Sequence, residues 1–301
     1  MQVNEIISLA REYIDEPVEA DWSDSDLLSY VNVEHSHLFS LVRRMYEDWF
    51  GRESVFITKP DSVTYFLPID CVTVRRVELI KSAAVSGSAP FLTVNEELAS
   101  PEEVFPTLLN GNTEGYFLWN EQLRFTLQYL SDDGRYIRLF YIPTAPELHR
   151  ATALGGSATS ITLGNSVAST TLGKIRTINN YYTGMRIELI SGTGAGQIGR
   201  VTAYNGATKV ATIEGGWSTP PDTTTVYSIV SPIVADFHEL LALGGAMRAK
   251  GLKTEDDTTE IGQTYGALIE DLKNSLETRV QQRSRHTNTR NPLGRRAYVV
   301  T

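Results

Sequence analysis

The sequence predicts an α+β protein whose helical core is formed by its N- and C-terminal helices. An antiparallel β block and a small β-barrel or sandwich module are inserted between them, and an extended C-terminal tail follows. Three observations predict this. Apolar residues recur at steps of three and four only towards the two ends, from Val3 to Trp49 and from Ile233 to Val280. Between them lie runs of β-branched and aromatic residues punctuated by Pro, Gly, Asn and Asp. Acids stop at Glu277, whereas arginines continue to Arg296. The expected boundaries are 1–53 with 232–285 for the helical core, 54–150 for the β block, 151–231 for the module and 286–301 for the tail.

The elements follow in order. Val3, Ile6, Ile7, Ala10, Tyr13 and Ile14 mark a short amphipathic helix that ends before Pro17. Ser23 with Asp26 three residues later resembles a capping box, and Leu27 to Trp49 continue a helical stripe as far as Gly51. From Ser54 the period changes. Strands are expected at Ser54–Thr58, Val63–Leu67, Val72–Ile80, Gly115–Trp119, Gln122–Leu127 and Arg135–Ile142, with Asp132-Asp133-Gly134 as a hairpin turn. Residues 82–88 read as a small-residue loop, and Glu96 to Phe105 as a short helical or turn element. Arg75, Arg76, Arg135 and Arg138 are expected to face solvent.

Ala151 to Thr171 is poor in charge and rich in Ala, Gly, Ser and Thr, so it is either a linker or a set of weak strands. Strands are then expected at Gly184–Ile190, Gln197–Tyr204, Lys209–Ile213 and Tyr227–Val230, with Asn205-Gly206 as a type I′ turn signal. Helical spacing returns after Pro232 and runs to Gly251. A long helix follows, with polar and acidic residues at 254–260 to favour its start. Gly262 and Gly266 lie one turn apart in it, where glycine costs about 1 kcal/mol against alanine. Close approach of another backbone, from a helix or a neighbouring subunit, would offset that cost.

Composition bounds the function. The 301 residues carry a net charge of −9 that hides an asymmetry. The last 23 residues hold six Arg and no acid, leaving residues 1–278 with 21 basic and 36 acidic side chains, a balance of −15. So acidic a body disfavours a nucleic-acid-binding surface, because duplex affinity comes mostly from neutralising phosphates. Cys71 is the only cysteine, which rules out an intrachain disulfide and a cysteine-based zinc site, and it reads as a buried structural thiol. No apolar run approaches the ~18 residues of a membrane span. Glu5, Arg11 and Glu12 stand where a signal peptide would have its apolar core, so the expectation is a soluble chain assembled in a cytoplasm.

No catalytic set, cofactor motif or metal loop stands out, and the expectation is a chain that is not an enzyme. Gly194-Ala-Gly-Gln-Ile-Gly199 fits G-x-G-x-x-G, but a strand-like run and Asn205-Gly206 follow where a dinucleotide site needs a helix. A β-turn accounts for it better. His35 and His37 are two apart on a helix and point to different sides, so they read as plain helix residues. His238-Glu239 reads as a helix face rather than an acid/base couple.

The tail cannot bury itself. Its apolar residues are few and its charges repel, so alone it should be disordered. It nevertheless ends in Tyr298-Val299-Val300, which suits an extended segment docked on a partner.

Two stretches carry a resemblance. The opening helix, then Trp22-Ser-Asp-x-x-Leu-Leu-x-x-Val-Asn32, Tyr65-Phe-Leu-Pro-Ile-Asp70 and Val74-x-x-Val77, resembles the head-to-tail adaptor (connector or neck) proteins of tailed bacteriophages. Gly192-Thr-Gly-Ala-Gly-Gln197, Arg200, Tyr204-x-Gly206, Ala211-Thr-Ile213, Trp217, Pro221-Asp222 and Tyr227-x-Ile229 are similar to a β module that recurs in phage neck and tail proteins. The resemblance implies a homo-oligomeric ring, usually of twelve subunits, beneath the portal protein at the head–tail junction of the virion. A downstream tail or nozzle protein would lie on its other side, and DNA would pass through its channel without sequence-specific binding. The portal-binding residues would be Arg285, Arg290, Pro292, Leu293, Arg295, Arg296, Tyr298, Val299 and Val300, with Gly262 and Gly266 in subunit or helix packing. No cofactor, metal or membrane enters this scheme. Two other readings compete: a peripheral tail component that binds receptor or carbohydrate, with Trp119 or Trp217 as stacking residues, and a glycan-cleaving enzyme with paired acids.

Overall fold

The computed structural model describes residues 1–16, 21–46, 49–57, 59, 62, 64–80, 91–96, 115–125, 136–164, 172–251 and 259–289. The chain divides into two units, Met1–Glu47 with Ala145–Thr301, and Asp48–Thr144.

The first unit gathers both ends of the chain. α1 (Val3–Ile14) buries Val3, Ile6, Ile7, Ala10 and Ile14 at helical spacing and stops at Asp15, which takes a left-handed φ of 59°. α2 (Asp24–Met45) begins with the expected capping box: Ser23 Oγ accepts from Asp26 N at 3.2 Å, and Asp26 Oδ2 accepts from Ser23 N at 3.2 Å. Arg11 clamps the two helices, donating to Asp24 Oδ1 from Nε at 2.9 Å and from Nη2 at 2.6 Å, and to Trp22 O at 3.0 Å. α2 ends at Met45 rather than near Gly51. Arg43 and Arg44 occupy its last turn, where the helix dipole favours cations, and the acids at 47 and 48 would oppose continuation.

α3 (Glu239–Gly251) is the centre of the helical body, and it packs against α1, α2 and the final helix, α4 (Thr259–Thr289). Leu240 through Ala246 are buried in an unbroken run, so α3 has no polar face over that stretch. α4 buries Leu272 and Leu276 and half-buries Ile261, Tyr265, Leu268 and Ile269, the predicted stripe. Its backbone stays helical to Thr289, four residues past the expected boundary at 285.

The same unit holds a seven-stranded antiparallel sheet. Its strands are β8 (Arg150–Thr152), β9 (Gly155–Ser157), β10 (Ser160–Thr162), β11 (Arg186–Ser191), β12 (Ile198–Asn205), β13 (Val210–Ile213) and β14 (Val226–Val230), in the order β8-β14-β11-β12-β13-β10-β9. Residues 151–162 are therefore weak strands and not a linker. The order is open, so the expected barrel is not closed. Its two edges are nevertheless consecutive in the chain: Ala153 N donates to Thr225 O on one side and Leu154 N to Thr162 O on the other. Asn205-Gly206 does not make a type I′ turn. Asn205 Oδ1 instead accepts from the backbone N of Ala207 and Thr208, each at 3.0 Å, and the left-handed residue is Lys209 at 58°. An aromatic group of His149, Tyr181, Tyr182, Tyr204 and Tyr227 fills this part of the unit edge to face, with centroids 4.8–5.5 Å apart. Helices and sheet are joined by Val3 N donating to Ser228 Oγ at 3.1 Å and by Gln2 Nε2 donating to Glu188 Oε1 at 2.5 Å.

The second unit contains β1 (Arg52–Ile57), β2 (Thr64–Phe66), β3 (Cys71–Ile80), β4 (Phe91–Glu96), β5 (Gly115–Trp119), β6 (Gln122–Phe125) and β7 (Tyr136–Pro143), ordered β1-β7-β3-β4-β5-β6-β2. Pairing is antiparallel except where β4 meets β5, at Asn95↔Gly115 and Glu96↔Tyr116. β4 is an element the sequence reading missed, and the rest of the expected turn element and the Asp132-Gly134 turn lie outside the described residues. Tyr65, Val77, Tyr116, Leu123, Phe125, Ile137, Leu139 and Tyr141 make its core. The buried Asp70 carboxylate fastens the start of β3 to two other strands: Oδ2 accepts from Arg52 Nη1 at 3.0 Å and Oδ1 from the Tyr141 hydroxyl at 3.2 Å. Arg75 and Arg76 are exposed as expected. Arg138 is less so, since it pairs with Glu53 at 2.9 Å and lies 3.7 Å from the buried Glu78.

Candidate functional site

Three helices meet around one carboxylate. Glu34 projects from α2 towards α3 because Gly244 leaves room for it; a Cβ at 244 would lie 2.2 Å from Glu34 Cγ. Gly245 does the same for Val31, whose Cγ2 would be 2.8 Å from an added Cβ. Helix α3 can therefore lie against α2 at a distance that side chains would forbid. The Glu34 side chain is 4 % exposed and fully engaged. Oε1 lies 2.5 Å from the Tyr265 hydroxyl of α4, which donates to it, and 3.0 Å from His37 Nδ1, while Oε2 accepts from Arg248 Nη2 at 3.3 Å. With Gly244 and Met247 these side chains line an open cleft of about 380 Å³. Burial, and then the bond to Glu34, hold the Tyr265 phenol far above its ordinary range, so it stays a donor. Both carboxylate oxygens are taken, and the cluster acts as a lock between α2, α3 and α4.

Sequence reasoning missed this lock. Glu34 and Tyr265 are 231 positions apart, and Tyr265 was legible only as one position of an apolar stripe. The packing role expected of helix glycines falls within the chain to Gly244 and Gly245. Gly262, where an added Cβ would be 3.9 Å from Met247 Cε, makes only ordinary contact, and Gly266 is exposed with nothing within 4 Å of such a Cβ. Of the residues expected to bind a portal, Arg285 has its backbone in α4. Arg290, Pro292, Leu293, Arg295, Arg296, Tyr298, Val299 and Val300 lie outside the described residues.

The other candidate motifs have structural roles. Gly194-Ala-Gly-Gln-Ile-Gly199 joins β11 to β12 with no helix following. Gly194 and Gly196 take φ of +80° and +86°, and Gly199 lies under Trp217, whose ring would be 2.9 Å from a Cβ there. Trp217 is consequently 6 % exposed and has no ring face free to stack on a ligand, whereas Trp119 is half exposed. Gln197 pins this hairpin to a second loop. Its Nε2 donates to Gly194 O and Thr219 O, at 2.9 and 3.0 Å, and its Oε1 accepts from Ser218 N at 2.8 Å.

His35 is a fully buried helix residue, and His37, on another side of α2, is half exposed. His238 and Glu239 do not couple: His238 Nε2 donates to Ile233 O at 3.0 Å, and Glu239 accepts from the Tyr13 hydroxyl at 2.5 Å. Cys71 is only half-buried, and burial followed by the neighbouring Asp70 pushes its thiol up to about 11, which makes it unreactive. Among the described residues no three His, Cys, Asp or Glu side chains gather as metal ligands would, and no helix is long and apolar enough to cross a membrane.

Set against known proteins, the chain matches no family model and no curated protein.

Proposed function

We propose that the chain is a structural subunit of the head-to-tail adaptor of a tailed bacteriophage. Copies form a ring, twelvefold by the resemblance, beneath the portal protein at the head–tail junction of the virion. The ring continues the DNA channel towards a downstream tail or nozzle protein. The observation that carries this reading is the joining of both chain ends into one helical body, α1 and α2 against α3 and α4, with all the β structure inserted between. Such a body holds α4 firmly at Leu272 and Leu276 while the arginine-rich segment leaves from its far end. That segment, from Arg285 to Val300, docks on the portal, its guanidinium groups pairing with portal carboxylates.

Two further features support the reading. Gly266 costs helix stability with no compensating contact among the described residues, which fits a close approach by a neighbouring subunit. The acidic balance of residues 1–278 lets DNA slide past without sticking, since like charge opposes the counterion release that drives binding.

The test is the mass of the complex formed when the full chain meets the portal ring encoded in the same genome, compared with residues 1–289, which keep α4 whole. A ring-sized gain that requires the last twelve residues is the expected result. A gain without them would keep the adaptor and remove the docking role of the segment. No gain in either low or moderate salt would end the adaptor reading.

A further inference from the structure

The outer face of β2, β6 and β5 carries an aromatic platform. Antiparallel register places Phe66, Gln122 and Trp119 in one row across the three strands, and Thr64, Arg124 and Phe117 in the next. Directly opposed residues share a face, so all six project away from Tyr65, Leu123, Tyr116 and Phe125, which are buried in the core of the unit. Phe66 is 76 % exposed and Trp119 51 %. Their Cα atoms are two strand spacings apart, about 10 Å, with Gln122 between them. Among the described residues β2 is also an edge strand. A sheet edge with large exposed aromatics on its outer face is a liability for a chain that stays alone, and such patches mark contact surfaces.

Arg124 indicates the partner. Its guanidinium donates to Gln122 Oε1, from Nε at 3.3 Å and Nη2 at 3.0 Å, and no carboxylate among the described residues pairs with it. Among the described residues it has no counter-ion, and it sits beside Phe117 in a body whose first 278 residues balance at −15. Two copies of so acidic a body repel, and a contact between them must place cations where they meet carboxylates of the neighbour. Aromatic residues and arginine are also the side chains that dominate protein–protein contacts.

We propose that this face is the docking surface for a second copy of the chain: Phe66, Phe117 and Trp119 pack on the neighbour while Arg124 meets its carboxylates. The inference rests on the ring reading for its closure, because a head-to-tail contact closes into a ring only at the right rotation.

The experiment places a photo-crosslinking benzoylphenylalanine at position 66 of the full chain. It is irradiated free at high concentration and in the assembly formed with the portal ring. Cross-links from position 66 to a different segment of another copy are expected. They should disappear in Arg124→Glu, and self-association should weaken at least about tenfold in Phe66→Ala/Trp119→Ala with little change in thermal midpoint, since both rings are exposed. Cross-links to the portal alone, cross-links to no protein, or unchanged association of the double variant would each overturn the inference. Ring-sized complexes without a copy-to-copy cross-link would leave the adaptor reading standing and remove this surface. Copy-to-copy cross-links in closed pairs that never reach ring mass would do the reverse.

Discussion

At the scale of single residues, three polar positions that carried the resemblance hold distant parts of the chain together. Asn32 is the clearest. Its Nδ2 donates to Leu148 O at 3.1 Å and its Oδ1 accepts from Leu148 N at 2.8 Å, so one amide side chain stands in for a strand partner 116 positions away. Leu148 is fully buried, and removal of the amide leaves two of its backbone groups without their partner. Asn32→Ala is therefore expected to cost about 1–3 kcal/mol, read from the urea midpoint of unfolding. Asn32→Asp keeps the acceptor, loses the donor and aims a carboxylate at a carbonyl, so it should be no milder than alanine. A midpoint for Asn32→Ala within error of the parent would refute this account of the motif. Asp70 ties strands through the Arg52 and Tyr141 side chains, and Gln197 ties two loops through the backbone of Thr219 and Ser218. The resemblance marked these residues but not their role, because each partner is remote and a bond of this kind has no local periodicity.

At the scale of elements, helix periodicity was readable and helix contact was not. The stripes of α1 and α4 and the cap at Ser23 were legible because they depend on neighbours three and four positions away. The two weak strands β9 and β10 could only be left open against a linker, and β4 was missed. The glycine signal pointed to the wrong helix for contact within the chain: Gly244 and Gly245 make the close approach, while Gly266 faces open space. The two sites should respond oppositely to alanine. Gly266→Ala gains helix propensity with no steric cost, and the free chain should be stabilised by about 0.5–1 kcal/mol. Gly244→Ala gains the same propensity but drives a methyl into the Glu34 side chain, which cannot move without releasing Tyr265, His37 and Arg248. A net loss of about 1–3 kcal/mol is expected. In the background of Glu34→Ala the Gly244→Ala penalty should largely vanish, and additive losses in that double-mutant cycle would show that the clash is not with Glu34. If Gly266 is a subunit contact, the stabilised Gly266→Ala chain should assemble less well on the portal ring.

For the whole molecule, acid should undo the first unit before neutral pH is far behind. His35 and His149 are buried completely, and the loss of hydration lowers both to about 3; the proximity of His238 adds to the effect on His35. His238 is lowered to about 4, again chiefly by burial. Unfolded histidine titrates near 6.5. Above that pH all three are neutral in both states and contribute no pH dependence. As the pH falls below it, the unfolded chain binds protons that the folded chain refuses, so stability is lost progressively until the folded-state values are reached. Each histidine adds a slope of up to about 1.4 kcal/mol per pH unit, and the three together about 4. That slope is steep against a total stability of roughly 5–15 kcal/mol. Urea midpoints measured in steps from pH 7 to 4 should fall with an uptake of about three protons on unfolding, over and above any carboxylate contribution. His149→Gln removes one titrating group at a fixed place. Whatever it does to the midpoint at pH 7, the slope between pH 6 and 4 should drop by close to one proton. An unchanged slope would mean that His149 is protonated in the folded chain, and its burial beside Tyr182 and Tyr227 would then need another explanation.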